Sequence, residues 1–149
     1  MIIPVLLAAV LAGAGVETET VETETEMSRE IDSDLFNVAH LMMGEAGYTD
    51  SKERRLTASV LLNRVDSDKF PDTIGECLYQ AGQYSTVGAG GAFWLEPTEE
   101  CWKDAEELLT KWYETGETDL PENVLYQSLG RLGNGTYLIS EWGQYFCYG

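Results

Sequence analysis

The sequence predicts an α+β fold, mainly helical, with a small antiparallel ribbon at the C-terminus. Apolar residues recur at helical spacing in three long segments before residue 116. From Val124 onward the pattern changes to short β-branched and aromatic runs separated by glycines. The first helix reads from an N-cap at Ser33 or Asp34, through Leu35, Val38, Ala39, Met42 and Ala46, to a stop at Gly47. A second runs from about Ser51 to Asp66, with Asp50 as cap and Glu53 three residues on. Its apolar face, Leu56, Ala58, Val60, Leu61, Leu62 and Val65, is broad enough for a central position. Phe70-Pro71-Asp72 breaks the chain before a short helix through Ile74, Cys77 and Leu78. Residues 81–93 read as a Gly-rich loop around Gln83-Tyr84-Ser85, and long loops in small domains often carry function. Pro97 opens a helix striped by Trp102, Ala105, Leu108, Leu109 and Trp112 and ended by Gly116. Val124–Gln127, Thr136–Ile139 and Tyr145–Tyr148 are the predicted strands, with Gly133-Asn134-Gly135 as a turn between the first two.

The 149 residues suffice for one domain. Residues 1–15 are apolar throughout, too short to span a bilayer comfortably and suited to an export signal, although a basic leader is missing. Residues 16–31 contain a tandem Val-Glu-Thr-Glu-Thr pentamer, whose charge and scarcity of apolar groups read as a disordered, extended tether. The working domain is then 32–149. With the signal removed, no stable membrane insertion is expected, and the location is secreted or cell-wall associated. A net charge of −17 without a basic stripe argues against nucleic acid as a partner. Cys77, Cys101 and Cys147 are an odd set: one pair can bridge in an exported protein, and sequence does not choose it. None has Cys-x-x-Cys spacing, so neither a metal nor a cofactor is expected.

Glu45 is the candidate for chemistry. It follows Val38 by seven residues and Met42 by three, beside the apolar stripe of the first helix. Partial desolvation in such a place raises a glutamic acid towards neutrality, as a general acid for glycosidic bonds requires. The plain alternative is a solvated carboxylate at a helix rim. Other enzyme classes lack their parts. His40 is the single histidine, mid-helix, and reads as a core or rim residue. Serine triads and zinc peptidase sites therefore have no support, and no Gly-x-Ser-x-Gly elbow is present; a cysteine peptidase built from His40 and one Cys stays formally open, although no cysteine has a recognisable nucleophile context. Glycoside cleavage can run on one carboxylic acid when the substrate supplies the trapping group. Asp50 and Glu53 are the nearest second acids, with capping as their stronger reading. Gln83-Tyr84, with Ser85, and Tyr126-Gln127 pair an amide with an aromatic ring, a common way to hold a sugar. Asn63-Arg64 divides between roles: Asn63 bonding orphan backbone groups or orienting Glu45 or a sugar amide, and Arg64 pairing with an acid across the core edge.

Several landmarks together carry a family resemblance. They are Leu35–His40 with Gly44-Glu45-Ala46, Val60–Val65, Phe70–Ile74, Tyr79–Ser85, Pro121–Gln127 and Tyr145-Phe146. In these the chain, over about residues 33–148, resembles the cell-wall hydrolases of the spore-cortex-lytic (SleB) type. The resemblance implies a lysozyme-like fold related to lytic transglycosylases and resuscitation-promoting factors. It also implies cleavage of peptidoglycan glycan strands between N-acetylmuramic acid and N-acetylglucosamine, with Glu45 on the family's catalytic position. Gln83, Tyr84, Ser85, Tyr126, Gln127 and Asn63 are then the substrate-binding candidates, and a monomer is expected. Two positions depart from the family: Gly44 stands for the usual Ala, and Thr49 for an acid that many members carry. The second departure favours a single-acid, transglycosylase-like route. A hydrolytic muramidase or glucosaminidase, or an inactive glycan-binding module, are the alternatives.

Overall fold

The computed structural model describes residues 17–149. The expected export segment, 1–15, lies outside them. Four helices, α1 Glu17–Ala46, α2 Ser51–Asp66, α3 Ile74–Tyr79 and α4 Glu99–Thr115, precede three strands, β1 Val124–Ser128, β2 Thr136–Ile139 and β3 Tyr145–Tyr148. Between α3 and α4 the loop contains two 3-10 turns, Ser85–Val87 and Ala92–Trp94. The mixed, mainly helical architecture is the one the sequence predicts.

The largest difference lies at the start. The Glu-Thr tract does not form an extended tether, because α1 runs through it without a break for 30 residues. Glutamate is a good helix former, and the buried half of the same helix supplies the nucleus that short isolated helices lack. Ser33 and Asp34 are therefore interior helical residues and not caps. Asp34 instead accepts a 2.5 Å hydrogen bond from the Tyr113 hydroxyl of α4. Residues 23–30 are exposed, and burial begins in earnest at Asn37.

Helix α2 is central, as its broad apolar face predicts. Leu61 and Leu62 pack with Val38, Met42, Phe93 and Leu108 in the main core. Leu56 and Val60 pack with Leu120, Val124 and Phe146 in a second core beneath the ribbon. Apolar side chains on both faces leave little amphipathic contrast, which suits a helix enclosed on two sides. The ribbon is antiparallel with strand order β1-β3-β2. Thus β1 and β2 are not a hairpin. Phe146 and Cys147 are fully buried, and β3 takes the middle place that buries them. The segment expected to turn between β1 and β2 pairs with β3 instead: Asn134 N donates to Tyr148 O at 2.8 Å, and Tyr148 N to Gly135 O at 2.9 Å.

The cysteines sit in three different elements and are all buried and free, so no pair bridges. The Cys77 thiol donates to Pro71 O at 3.1 Å, and burial pushes it up.

The corner between α1 and α2 is locked by a buried ion pair. Asp104 of α4 accepts from Arg54 Nε at 2.7 Å and from Ser51 Oγ at 2.6 Å. Arg54 Nη1 also donates to Thr49 O at 2.8 Å, in the turn just beyond Glu45. Asp104→Ala strands the Arg54 guanidinium in a buried site, and a loss of about 3–5 kcal/mol is expected. Urea denaturation with an unchanged m-value checks it.

Candidate functional site

Glu45 is the penultimate residue of α1, at the end the loop 81–93 crosses. Its carboxylate is exposed, not set against apolar side chains as the sequence suggests. One oxygen is held: Thr86 Oγ1 donates to Glu45 Oε1 at 2.6 Å. Thr86 was not among the candidates. No motif marks it, and the clue in the sequence is the neighbouring Gly44.

Two glycines allow the loop to lie where it does. A Cβ on Gly44 would meet Phe93 N at 2.9 Å and Thr86 Oγ1 at 3.0 Å. A Cβ on Gly91 would fall 2.0 Å from Thr86 O. The departure from Ala at position 44 is thus a close approach of two backbones. The loop is tied down at several points. Phe93 is fully buried, and its carbonyl accepts from His40 Nδ1 at 2.5 Å. His40 also stacks on Phe36 with centroids 4.0 Å apart, so the single histidine is a satisfied core residue as expected. The Trp94 indole donates to Val87 O at 2.9 Å.

Beside this lies an aromatic box around a buried cation. The Arg64 guanidinium carbon is 4.9 Å from the Phe70 ring centroid, 5.6 Å from Tyr84 and 5.7 Å from Tyr126. Arg64 Nε donates to Leu125 O at 2.7 Å, and Nη1 to Gln83 Oε1 at 2.8 Å. It has no carboxylate partner among the described residues, so the acid expected across the core edge is replaced by three rings and two neutral acceptors. The Tyr84 hydroxyl is buried and unpartnered. Burial pushes its phenol up to about 12, with Arg64 opposing and Glu45 reinforcing.

The candidates therefore separate. Gln83, Tyr84 and Tyr126 converge on Arg64, and Tyr84 lies within the electrostatic reach of Glu45. Ser85 is exposed at the start of its 3-10 turn. Gln127 points elsewhere, with Nε2 bonded to Thr57 Oγ1 at 3.1 Å and Gln144 Oε1 at 3.5 Å. Asn63 is buried and committed. Its Nδ2 donates to Pro121 O at 2.8 Å and Val124 O at 3.1 Å, and its Oδ1 accepts from Thr118 at 2.9 Å. These bonds fasten β1 to α2.

The two nearest acids are occupied too. Asp50 caps α2, accepting from Glu53 N at 2.9 Å and from the Trp142 indole at 3.4 Å. The backbone bond holds its carboxyl below the ordinary range. Glu53 is buried and accepts from Ser140 Oγ at 3.0 Å. Burial pushes its carboxyl up, with the Ser140 bond opposing. No cluster of His, Cys, Asp and Glu among the described residues can hold a metal. No helix among them is long and apolar enough to cross a membrane.

Residues 49–120 match the family model described as Cell Wall Hydrolase. The match begins just after Glu45 and stops before the ribbon, so it spans Gln83 and Tyr84 but neither Glu45 nor Tyr126. A spore cortex-lytic enzyme of Oceanobacillus iheyensis is 29% identical over 94 residues, or 63% of this chain and 32% of that protein. This chain thus corresponds to less than half of that relative's length. No solved structure matches it. These matches support the family that the sequence landmarks indicate, the cell-wall hydrolases of the spore-cortex-lytic type.

Two outcomes follow for stability. Gly→Ala inside a helix ordinarily gains about 0.5–1 kcal/mol. Gly44→Ala is expected instead to lose about 1–3 kcal/mol, because the added methyl meets backbone. The sign of the shift in denaturation midpoint decides between them. Glu53→Gln removes a carboxyl raised by burial. Such a group favours the folded state only below its ordinary titration and costs stability once pH rises through the folded value. The variant should melt higher than the wild type at neutral pH, with the difference closing below about pH 4. Melting curves across that range check it.

Proposed function

We propose that this domain cleaves the glycan strands of peptidoglycan between N-acetylmuramic acid and N-acetylglucosamine, with Glu45 as general acid and then base. The observation that carries the reading is the state of that carboxylate. It is exposed at a helix end, one oxygen is held by Thr86, and no second acid among the described residues shares its hydrogen bonds. The similarity to cell-wall hydrolases suggests the substrate class, and the lysozyme-like kinship rests on the same sequence resemblance.

The bond changes follow from one acid. Protonated Glu45 gives its proton to the bridging oxygen as the muramyl C1–O bond breaks, and the N-acetylglucosamine leaves as an alcohol. The muramyl cation is then trapped by its own 6-hydroxyl, whose proton returns to the Glu45 carboxylate. The product is a 1,6-anhydro ring, and the enzyme recovers its starting form. Thr49 stands where many relatives have an acid, which removes the obvious candidate for activating a water.

Gln83, Tyr84 and Tyr126 are proposed to line the cleft, backed by Arg64. Tyr48, 87% exposed, and Trp94, 50% exposed, offer open aromatic faces for sugar rings. Action at the wall, outside the cell, fits this substrate.

Glu45→Gln preserves shape and removes the transferable proton. A fall of about 100- to 10,000-fold in fragment release from purified walls is expected, with unchanged melting temperature. Walls cleared at the wild-type rate by this variant would end the assignment. Tight binding to walls without clearing by the wild type would make the domain a glycan-binding module.

A further inference from the structure

The Thr86–Glu45 contact has a chemical consequence beyond holding a side chain still. Resting on the assignment of Glu45 as the acid, we propose that Thr86 is a positioning residue that selects Oε2 of Glu45 as the proton-carrying oxygen. It stabilises the carboxylate as the proton leaves, and Gly44 is the residue that admits it.

The geometry is specific. Thr86 Oγ1 lies 2.6 Å from Glu45 Oε1, short for a neutral hydroxyl and suited to a charge-assisted bond. Threonine is stiff at χ1, so a fixed backbone gives a fixed hydroxyl. The backbone here is fixed: Thr86 O lies against Gly91 with no room for a Cβ, and the adjoining Val87 carbonyl is bonded by Trp94. On the other side, Gly44 presents no methyl where one would stand 3.0 Å from Thr86 Oγ1. The glycine and the threonine are thus two halves of one arrangement.

The chemistry follows from which oxygen is occupied. With Oε1 accepting from Thr86, the protonated acid carries its hydrogen on Oε2, the oxygen left for substrate. As the proton moves to the leaving oxygen, negative charge grows on both carboxylate oxygens, and the bond to Oε1 strengthens. An interaction stronger in the transition state than in the ground state raises kcat and leaves KM alone. The same hydroxyl keeps Oε2 facing the substrate when the proton returns.

The test compares Thr86→Val, nearly isosteric without the hydroxyl, with Thr86→Ser, which keeps it, on purified peptidoglycan. Glu45→Gln runs in parallel, and melting curves are recorded for each. Thr86→Val is expected to lose about ten- to a hundred-fold in kcat with KM within a factor of two. Thr86→Ser should stay within a few-fold of wild type. Should the valine variant fold poorly, Thr86→Ala carries the same expectation for kcat. Wild-type kcat in a folded Thr86→Val with Glu45→Gln inactive overturns the role of Thr86 and leaves Glu45 as the acid. Equal losses in the serine and valine variants, or a change confined to KM, overturn it as well, since a packing or binding role would give those. Activity in Glu45→Gln would remove the acid itself and the proposal with it.

Discussion

The contact on which the site depends is the one between two backbones, where the Phe93 peptide lies on Gly44. An α-helix normally keeps other main chain at a distance through its side chains. Here the missing Cβ lets the loop 81–93 descend onto the last turn of α1. Phe93 then enters the main core with no exposed surface, and its carbonyl meets His40. Burying a Phe side chain contributes about 1.5–3 kcal/mol, enough to hold a Gly-rich loop that has little regular structure of its own. Thr86 is carried into place beside Glu45 by this anchoring.

Support comes from behind through α2. Arg64 bonds the loop at Gln83 and the ribbon at Leu125, so one side chain joins the two segments that bring Tyr84 and Tyr126 together. A guanidinium buried without a carboxylate is costly unless its hydrogen-bond donors and its faces are satisfied. The rings of Phe70, Tyr84 and Tyr126 meet that need. Next to Arg64 on α2, Asn63 plays a comparable part in fastening the entry to β1.

The elements themselves were largely legible from the chain. The cap at Asp50, the break at Pro71, the three strands and the central place of α2 follow from periodicity and turn chemistry, which are local signals. The start of α1 was not. The Glu-Thr repeat looks like solvated coil by composition, and only its continuity with a buried helix makes it helical. Strand order was also hidden, because a Gly-Asn-Gly turn signal does not say which strand its flanks will meet. At the candidate site, residue type and spacing single out Glu45, Gln83, Tyr84 and Tyr126, and the last three meet around Arg64. Asn63 and Gln127 show the limit of that approach: an amide beside an apolar run fits a ligand or a backbone equally well until its partners are known. Thr86 was invisible for the opposite reason, since its role comes from a fold of the loop that no local pattern encodes.

In the proposed reaction one carboxylate, held by the loop, cleaves the glycan without a second acid. The most direct measurement is the mass of the muramyl ends released from purified peptidoglycan by the wild-type protein. The account predicts 1,6-anhydro ends, one water lighter than the hydrolysed product. Ends carrying that water would contradict it, and would require a second group near Glu45 that activates water.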